Sequence, residues 1–519
     1  MRIKEPARLA LVGLLSCFAC FYLWYLAPVL QWGDPSKLLM AVRYEHVNVA
    51  SGSGHGLLIL TIQALDWILP GNYEVAARFA SPIFTLLALA IFWRTLGNAG
   101  VGIRGRAMAV TALGVSHLFW TVSEIVESYS LVALCFAAWL WAAQRYPARP
   151  NLGRCVTLLL INGIGILNHQ ILLLTLPVQF IYFSCTLEAR ARRDWIGLHL
   201  AGTLLAAVTL WFYPALWVEA WQSAVSSTER WVLPSIGIKL IWIFPLLLLI
   251  QFPGIAFLSG AYGVKKMFQN SPGEISLLLI ITMLVVAFFS LSYGIGRGVY
   301  LLLPAYMCFA FLVGSGWEKW SPGKRLSTPT FGLALVLVFM IPVAGYAAAW
   351  RTCDALGIYP VSKRSIAYRA PNRYYLWPGK HGDDGANRFC REVALIAGPG
   401  TLVLADFRIA MTLKYSRARG GYDYQIFDTD LCAFLPEDQI RKKLYGIIDS
   451  AHEQGQGVLL ADRKSVDFYT RNRILLDLLP EMQEKYQIEK IGNFHTIRPG
   501  SEFKPAAFHP KQPTPPRKP

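Results

Sequence analysis

LALVGLLSCFACFYLWYLAPVL, residues 9–30, runs without a charge into Gln31-Trp32-Gly33-Asp34-Pro35-Ser36-Lys37-Leu38. Twenty-two residues at 1.5 Å each span about 33 Å as a helix, enough to cross a hydrocarbon core of about 30 Å. Basic residues precede the run, as in a secretory signal, but it continues past Cys17 to Leu30 with no A-x-A site, so it reads as an uncleaved membrane helix. The segment after it opens with the carboxylate of Asp34, set where a membrane helix would meet water.

Working outward, similar apolar runs lie near 79–97, 107–122, 124–143, 155–168, 170–187, 197–217, 236–262, 275–293, 298–316 and 329–349. With 9–30 they make eleven crossings. The pairs 107–122/124–143 and 155–168/170–187 are weakly parted and read as helical hairpins. Composition agrees: 54% of the 519 residues are hydrophobic and 16% charged, where a soluble chain carries about 25%. A chain disordered throughout is excluded, and a wholly soluble one is disfavoured.

A net charge of +17 would suggest nucleic-acid binding in a soluble protein. Its distribution argues otherwise. Of 23 lysines and arginines in 1–350, 17 fall at cytoplasmic ends when the N-terminus is inside; six fall outside. That is the positive-inside pattern, so no nucleic-acid partner is needed to explain the charge.

Beyond residue 350 the composition changes. Strand-like runs at 401–406, 424–427, 457–461 and 487–491 alternate with helical patterns at 407–416, 436–454 and 473–485. The expected organisation is a transmembrane domain over 1–350 with a first outer loop at 31–78, an outward-facing α/β domain over 351–504, and a Pro/Lys-rich disordered tail over 505–519. Cys353, Cys390 and Cys432 share the outward domain, where one disulfide is chemically allowed but its pairing is not readable.

The outer loops hold most of the acids. A carboxylate at the lipid–water boundary is partly desolvated, which favours proton uptake and suits a general base, so Asp34 is a candidate. Its bland reading is a cap for a helix starting at Pro35. His55, in the glycine-rich run 51–56, suits a phosphate contact or carboxylate orientation, or a simple interfacial hydrogen bond; the G-x-G-x-x-G spacing of a nucleotide fold is missing. Asp34, His46 and His55 lack metal-ligand spacing. Glu124 and Glu127 share a helical face, with helix-end solvation preferred for Glu124. Arg297, in an outer turn rich in glycine, suits a lipid phosphate or a snorkelling role.

Trp32-Gly33-Asp34-x-Ser36-Lys37-Leu38, then Gly54-His55-Gly56-Leu57-Leu58, Phe119-Trp120 followed by Glu127-Ser128-Tyr129-Ser130-Leu131, Asn168-His169, and Tyr300-Leu301-Leu302-Leu303-Pro304-Ala305-Tyr306 stand in the order of a known family. Together they resemble the membrane domain of the DUF2723 family, in the GT-C superfamily of glycosyltransferases, over roughly 20–315. Lys37 stands where many members carry an acid, and Gly56 and Leu57 replace two prolines.

The resemblance implies a GT-C-like α-helical polytopic membrane enzyme, related to protein O-mannosyltransferases. Such an enzyme moves a sugar, with inversion, from a polyprenyl-phosphate donor to a hydroxyl on a protein or glycolipid. It implies Asp34 as catalytic base, Arg297 with Lys37 or His55 on the leaving phosphate, and Glu127, Tyr129, His169 and Tyr300 around donor and sugar. No cofactor beyond the lipid-linked donor is required, and a divalent metal stays open. The absence of an N-x-S/T sequon favours a bacterial inner membrane with the outer domain periplasmic. The rival readings are a transporter or lipid flippase, which would show interrupted helices in repeated halves, and a non-catalytic assembly subunit.

Overall fold

The computed structural model describes residues 5–44, 55–68, 73–197, 199–200, 239–269, 274–292, 298–320, 327–360, 366–429, 437–461 and 474–500. The expected span at 197–217 lies largely outside these residues, and the tail at 505–519 wholly so. The chain divides into two compact units, Met1–Leu26 with Val47–Ala349, and Ala27–His46 with Trp350–Pro519.

The first unit is helical. Its elements begin with α1 (Glu5–Tyr25); α2 (Asp34–Arg43) belongs to the second unit; α3 (Gly56–Ile68), α4 (Tyr73–Asn98), α5 (Ile103–Gly114), α6 (His117–Glu124), α7 (Tyr129–Arg145) and α8 (Leu152–Asn168) follow. After a 3-10 turn come α9 (Thr175–Thr186), α10 (Phe244–Gln251), α11 (Ile255–Gln269), α12 (Glu274–Ser292), α13 (Gly298–Leu301), α14 (Leu303–Trp320) and α15 (Thr328–Ala355).

Among the described residues four helices (α1, α4, α12 and α15) are long and apolar enough to cross a membrane, and α6 with α7 adds a fifth if that pair, bent by 119°, is one span. The chain is a multi-pass membrane protein. Several expected runs are helical but broken. The run 107–122 is split by a turn at Val115-Ser116, where Tyr346 Oη accepts from His117 N, and 236–262 is split at 252–254 by Gly254 at φ +66°. The first helix also stops earlier than expected, at Tyr25.

Small residues set the closest helix packing. A Cβ at Gly316 of α14 would lie 1.9 Å from Ser259 O of α11, and one at Gly263 would lie 2.3 Å from Leu312 O. Backbones this close depend on glycine, the usual device for helix association in lipid. One polar cluster between helices is satisfied internally: Asn162 donates to Gln179 (2.6 Å), and Thr175 to Asn162 (2.7 Å).

The second unit is α/β. Beyond Trp350 it contains α16 (Pro371–Leu376), α17 (Gly385–Ile396), β1 (Thr401–Ala405), α18 (Phe407–Gly420), β2 (Tyr424–Asp428), α19 (Glu437–Glu453), β3 (Val458–Leu460), α20 (Ile474–Lys485), β4 (Tyr486–Ile491) and β5 (Phe494–Pro499). The strand order is β2-β1-β3-β5-β4. The first three strands are parallel, and β3, β5 and β4 pair antiparallel. β1 is buried at every position, as befits a central parallel strand. One core layer joins Leu402, Leu404, Ile440, Leu444, Val458, Leu460 and Ile497.

The order β2-β1-β3 reverses direction at β1, the arrangement in which α/β sheets receive ligands at the carboxyl ends of their strands. Segment 27–46 docks there: Gly33 N donates to Arg408 O (3.2 Å) in the first turn of α18, and Trp32 meets Phe389 edge to face. The buried face of α2 (Leu38, Leu39, Val42) explains why a stretch expected in the membrane domain's first loop joins the α/β unit. Cys353 and Cys390 are free thiols, and Cys432 lies outside the described residues. Burial pushes the Cys390 thiol up to about 12.

Candidate active site

In the α/β unit, Asp34 is the first residue of α2, half-buried, with Lys37 one turn on. The cap position falls on Gly33, at φ +81° and ψ −121°, rather than on Asp34. Gly33 N is shared between Arg408 O and Thr412 Oγ1 (both 3.2 Å), and Thr412 donates to Gln31 O (3.1 Å). The buried Ser36 hydroxyl donates back to Gln31 O. The approach to Asp34 is therefore pinned on both sides by buried hydrogen bonds, and a short helix sets the carboxylate's direction.

In the helical unit, four other expected residues meet. His55 stacks on His169 with ring centroids 5.3 Å apart; His169 lies 4.9 Å from Tyr129, and Tyr129 5.3 Å from Tyr300. His55 Nδ1 donates to Asn168 O (2.9 Å), and Asn168 Nδ2 donates to Ser128 O (3.1 Å). One asparagine thus ties the start of α3 to the turn before α7.

The two imidazoles differ at Nδ1, which donates in one and accepts in the other. A carbonyl partner requires a proton on His55 Nδ1, whereas His169 Nδ1 accepts from Ile171 N (3.1 Å) and so carries its proton on Nε2. His169 sits in the turn between α8 and the 3-10 turn. Burial first, then the neighbouring His55, lowers its pKa, which favours a neutral hydrogen-bonding ring. Rings of this kind, with an apolar face and a polar edge, suit the faces and hydroxyls of a sugar.

Glu127 is half-buried beside this ladder in sequence. Glu124 departs from helix-end solvation: it is buried, and its carboxylate accepts from the Trp120 indole one turn back, a partner water would otherwise replace. Arg297 lies outside the described residues. Among the described residues no group of three or more His, Cys, Asp or Glu could hold a metal ion. Sequence reading missed the basic and aromatic stretch Arg369-Ala-Pro-Asn-Arg-Tyr-Tyr-Leu-Trp377; its interleaving of cations with tyrosines was the available signal.

The fold defines a class: a multi-pass helical membrane protein that also carries an α/β unit. Its solved likenesses include two crystal structures of ArnT from Cupriavidus metallidurans. The one bound to undecaprenyl phosphate matches at 14% identity over 95% of this chain and 99% of that one, with a TM-score of 0.50. The apo structure matches at 13% over 94% and 97%, with a TM-score of 0.54. At these identities the likeness establishes the fold. No protein-family model and no curated protein matches the chain, so the DUF2723 resemblance rests on its motifs.

Proposed function

We propose that the protein is an inverting glycosyltransferase that moves a sugar, mannose or a similar hexose, from a polyprenyl-phosphate donor to a hydroxyl of a protein or glycolipid. The reaction takes place on the outer face of a bacterial inner membrane, with the α/β unit periplasmic. The observation that carries this reading is the convergence of His55, His169, Tyr129 and Tyr300, drawn from separate motifs, into one ladder of rings. The fold it shares with ArnT, whose structure holds undecaprenyl phosphate, supports a lipid-phosphate donor.

In this scheme Asp34 takes the proton from the acceptor hydroxyl as that oxygen bonds to the anomeric carbon. The bond from that carbon to the phosphate oxygen breaks, and the lipid phosphate leaves as an anion. It therefore calls for positive charge more than for a general acid. Arg297, with Lys37 or His55, supplies that charge, and Glu127, Tyr129 and His169 shape the sugar site. A transporter would need paired ionisable groups at mid-membrane; the residues described above sit at helix ends and turns.

The test is Asp34→Asn in reconstituted membranes carrying a polyprenyl-phosphate sugar. Loss of a positioned base costs roughly 10²–10⁴ in rate. Transfer reduced on that scale, with an unchanged near-UV spectrum, supports the assignment; transfer at the wild-type rate overturns it.

A further inference from the structure

The ring ladder stands at one end of α7 and α8, at Tyr129 and His169. A cleft of about 470 Å³ opens at the other end of the same two helices, about 24 Å away along α7. Tyr146, Asn151, Leu152 and Cys155 line it from the α7–α8 corner, and Ala191 and Asp194 line it from the helical segment 189–197.

Arginines ring this cleft. Arg145, Arg149 and Arg154 are each the chain neighbour of a lining residue, and so are Arg190, Arg192 and Arg193. All are exposed except Arg154, which is half-buried. Their hydrogen bonds run to the backbone: Arg154 donates to Arg145 O (3.1 Å) and Arg149 O (3.2 Å), and Arg192 to Leu187 O (2.8 Å). Arg145 covers the Trp141 ring at 4.7 Å. Among the described residues none of the six pairs with a carboxylate. Stretches 145–154 and 188–197 hold two acids between them, Glu188 and Asp194.

Water solvates exposed arginines, but this cleft also adjoins an apolar surface. Leu152 on its wall begins an exposed stripe that continues through Val156, Leu160, Ile164 and Leu167, four and three residues apart on one face of α8. The stripe runs about 22 Å, enough to carry an acyl chain through one leaflet of a hydrocarbon core about 30 Å thick. In a membrane protein such a face meets lipid, and its arginine-bearing foot is at headgroup level, on the inner side in the positive-inside topology.

The geometry points to a lipid site at this end of α7 and α8 that takes an anionic glycerophospholipid whose headgroup carries hydroxyls. The arginines meet its phosphate, whose oxygens match their forked donors. Its acyl chain lies along the α8 stripe. The Asp194 carboxylate repels a bare phosphate but accepts from headgroup hydroxyls. Basic recesses between helix ends on the inner side are where anionic headgroups bind. The site is a helix length away from the ring ladder and rests on embedding in a bilayer, not on sugar transfer, so either reading can fail without the other.

The experiment places the full chain in phosphatidylcholine nanodiscs with a rising fraction of phosphatidylglycerol, at constant ionic strength, and follows thermal unfolding. Wild type should show a saturable rise in melting temperature. Arg149→Gln with Arg193→Gln, one exposed arginine from each wall, should raise the half-saturating fraction about tenfold or more. Arg190→Gln with Arg193→Gln carries the test if the first pair does not fold. Lys265→Gln with Lys266→Gln removes the same charge from α11, which lines no part of the cleft, and should leave the response unchanged. Asp194→Asn should cut the preference for phosphatidylglycerol over phosphatidic acid severalfold. The site is overturned by a rise that never saturates, by a wild-type response in the folded arginine pair, or by equal losses in the arginine and lysine pairs. An unchanged preference in Asp194→Asn, or an arginine-dependent response that only polyprenyl phosphate produces, overturns it as well.

Discussion

Gly33→Ala isolates the link between backbone and carboxylate. At φ +81° and ψ −121° Gly33 occupies a region that a residue with a Cβ avoids, at a cost of roughly 1–3 kcal/mol. Steric contact adds little, since the new Cβ would lie 3.4 Å from Arg408 Cγ. A stiffer unfolded chain offsets roughly 0.4–1 kcal/mol. The net is on the order of 1–2 kcal/mol, a factor of about 5–30 in the population of the native backbone. Two amides report it: Gly33 N, shared by Arg408 O and Thr412 Oγ1, and Lys37 N, which donates to Gly33 O at 3.0 Å. Hydrogen exchange of peptides covering 31–43, with the full chain in nanodiscs, should show protection falling by that factor. Sugar transfer should fall at least as far, because Asp34 loses its fixed direction. Gly13→Ala is the control, at a helical position with no atom within 4 Å of the added Cβ. Unchanged exchange at residues 33–37, or an equal loss in the control, would refute the reasoning.

Three other outcomes are expected. Gly316→Ala must displace Ser259 O and should destabilise the helical unit by roughly 1–3 kcal/mol, whereas Gly345→Ala, in open space, should not; thermal unfolding in detergent separates them. Burial alone would raise the Asp449 carboxyl, but hydrogen bonds from Lys485 (2.6 Å) and Tyr486 (2.7 Å) outweigh it and hold the pKa below the usual range. The resulting stability is fully present above the unfolded pKa of about 3.9 and is lost as pH falls through the folded value, so acid titration by near-UV circular dichroism should show Asp449→Asn losing this pH dependence. A 350–500 fragment expressed without 27–46 exposes the α18 surface that α2 covers, and it should show a lower melting temperature than the same fragment with 27–46 fused to it; equal values would contradict the assignment of that segment to the α/β unit.

Several elements were legible because their signals are local. Long apolar runs become α1, α4, α12 and α15, since a backbone in lipid must satisfy its own hydrogen bonds and only a long apolar helix does so within one segment. The runs at 401–406 and 424–427 became β1 and β2 within a residue of each end. β5 was not expected, because Phe494–Pro499 alternates only weakly and its burial depends on pairing with β3 and β4. Glu124 was misread because its partner, the Trp120 indole, is chosen by helix geometry and burial rather than by composition.

The sequence by itself determined that this is a multi-pass membrane protein with an α/β portion, and it singled out Asp34, His55, Tyr129, His169 and Tyr300. Hydropathy and residue chemistry are properties of short stretches, readable without knowing what they touch. Tertiary structure alone decided that residues 27–46 leave the helical unit, that His55 Nδ1 donates while His169 Nδ1 accepts, and that Arg369 and Arg408 meet on one phenol oxygen. Some of these pairings are local, as His169 with Ile171, and others join residues more than a hundred apart, as His55 with Asn168, but all need the burial that several elements create together, which no short stretch encodes.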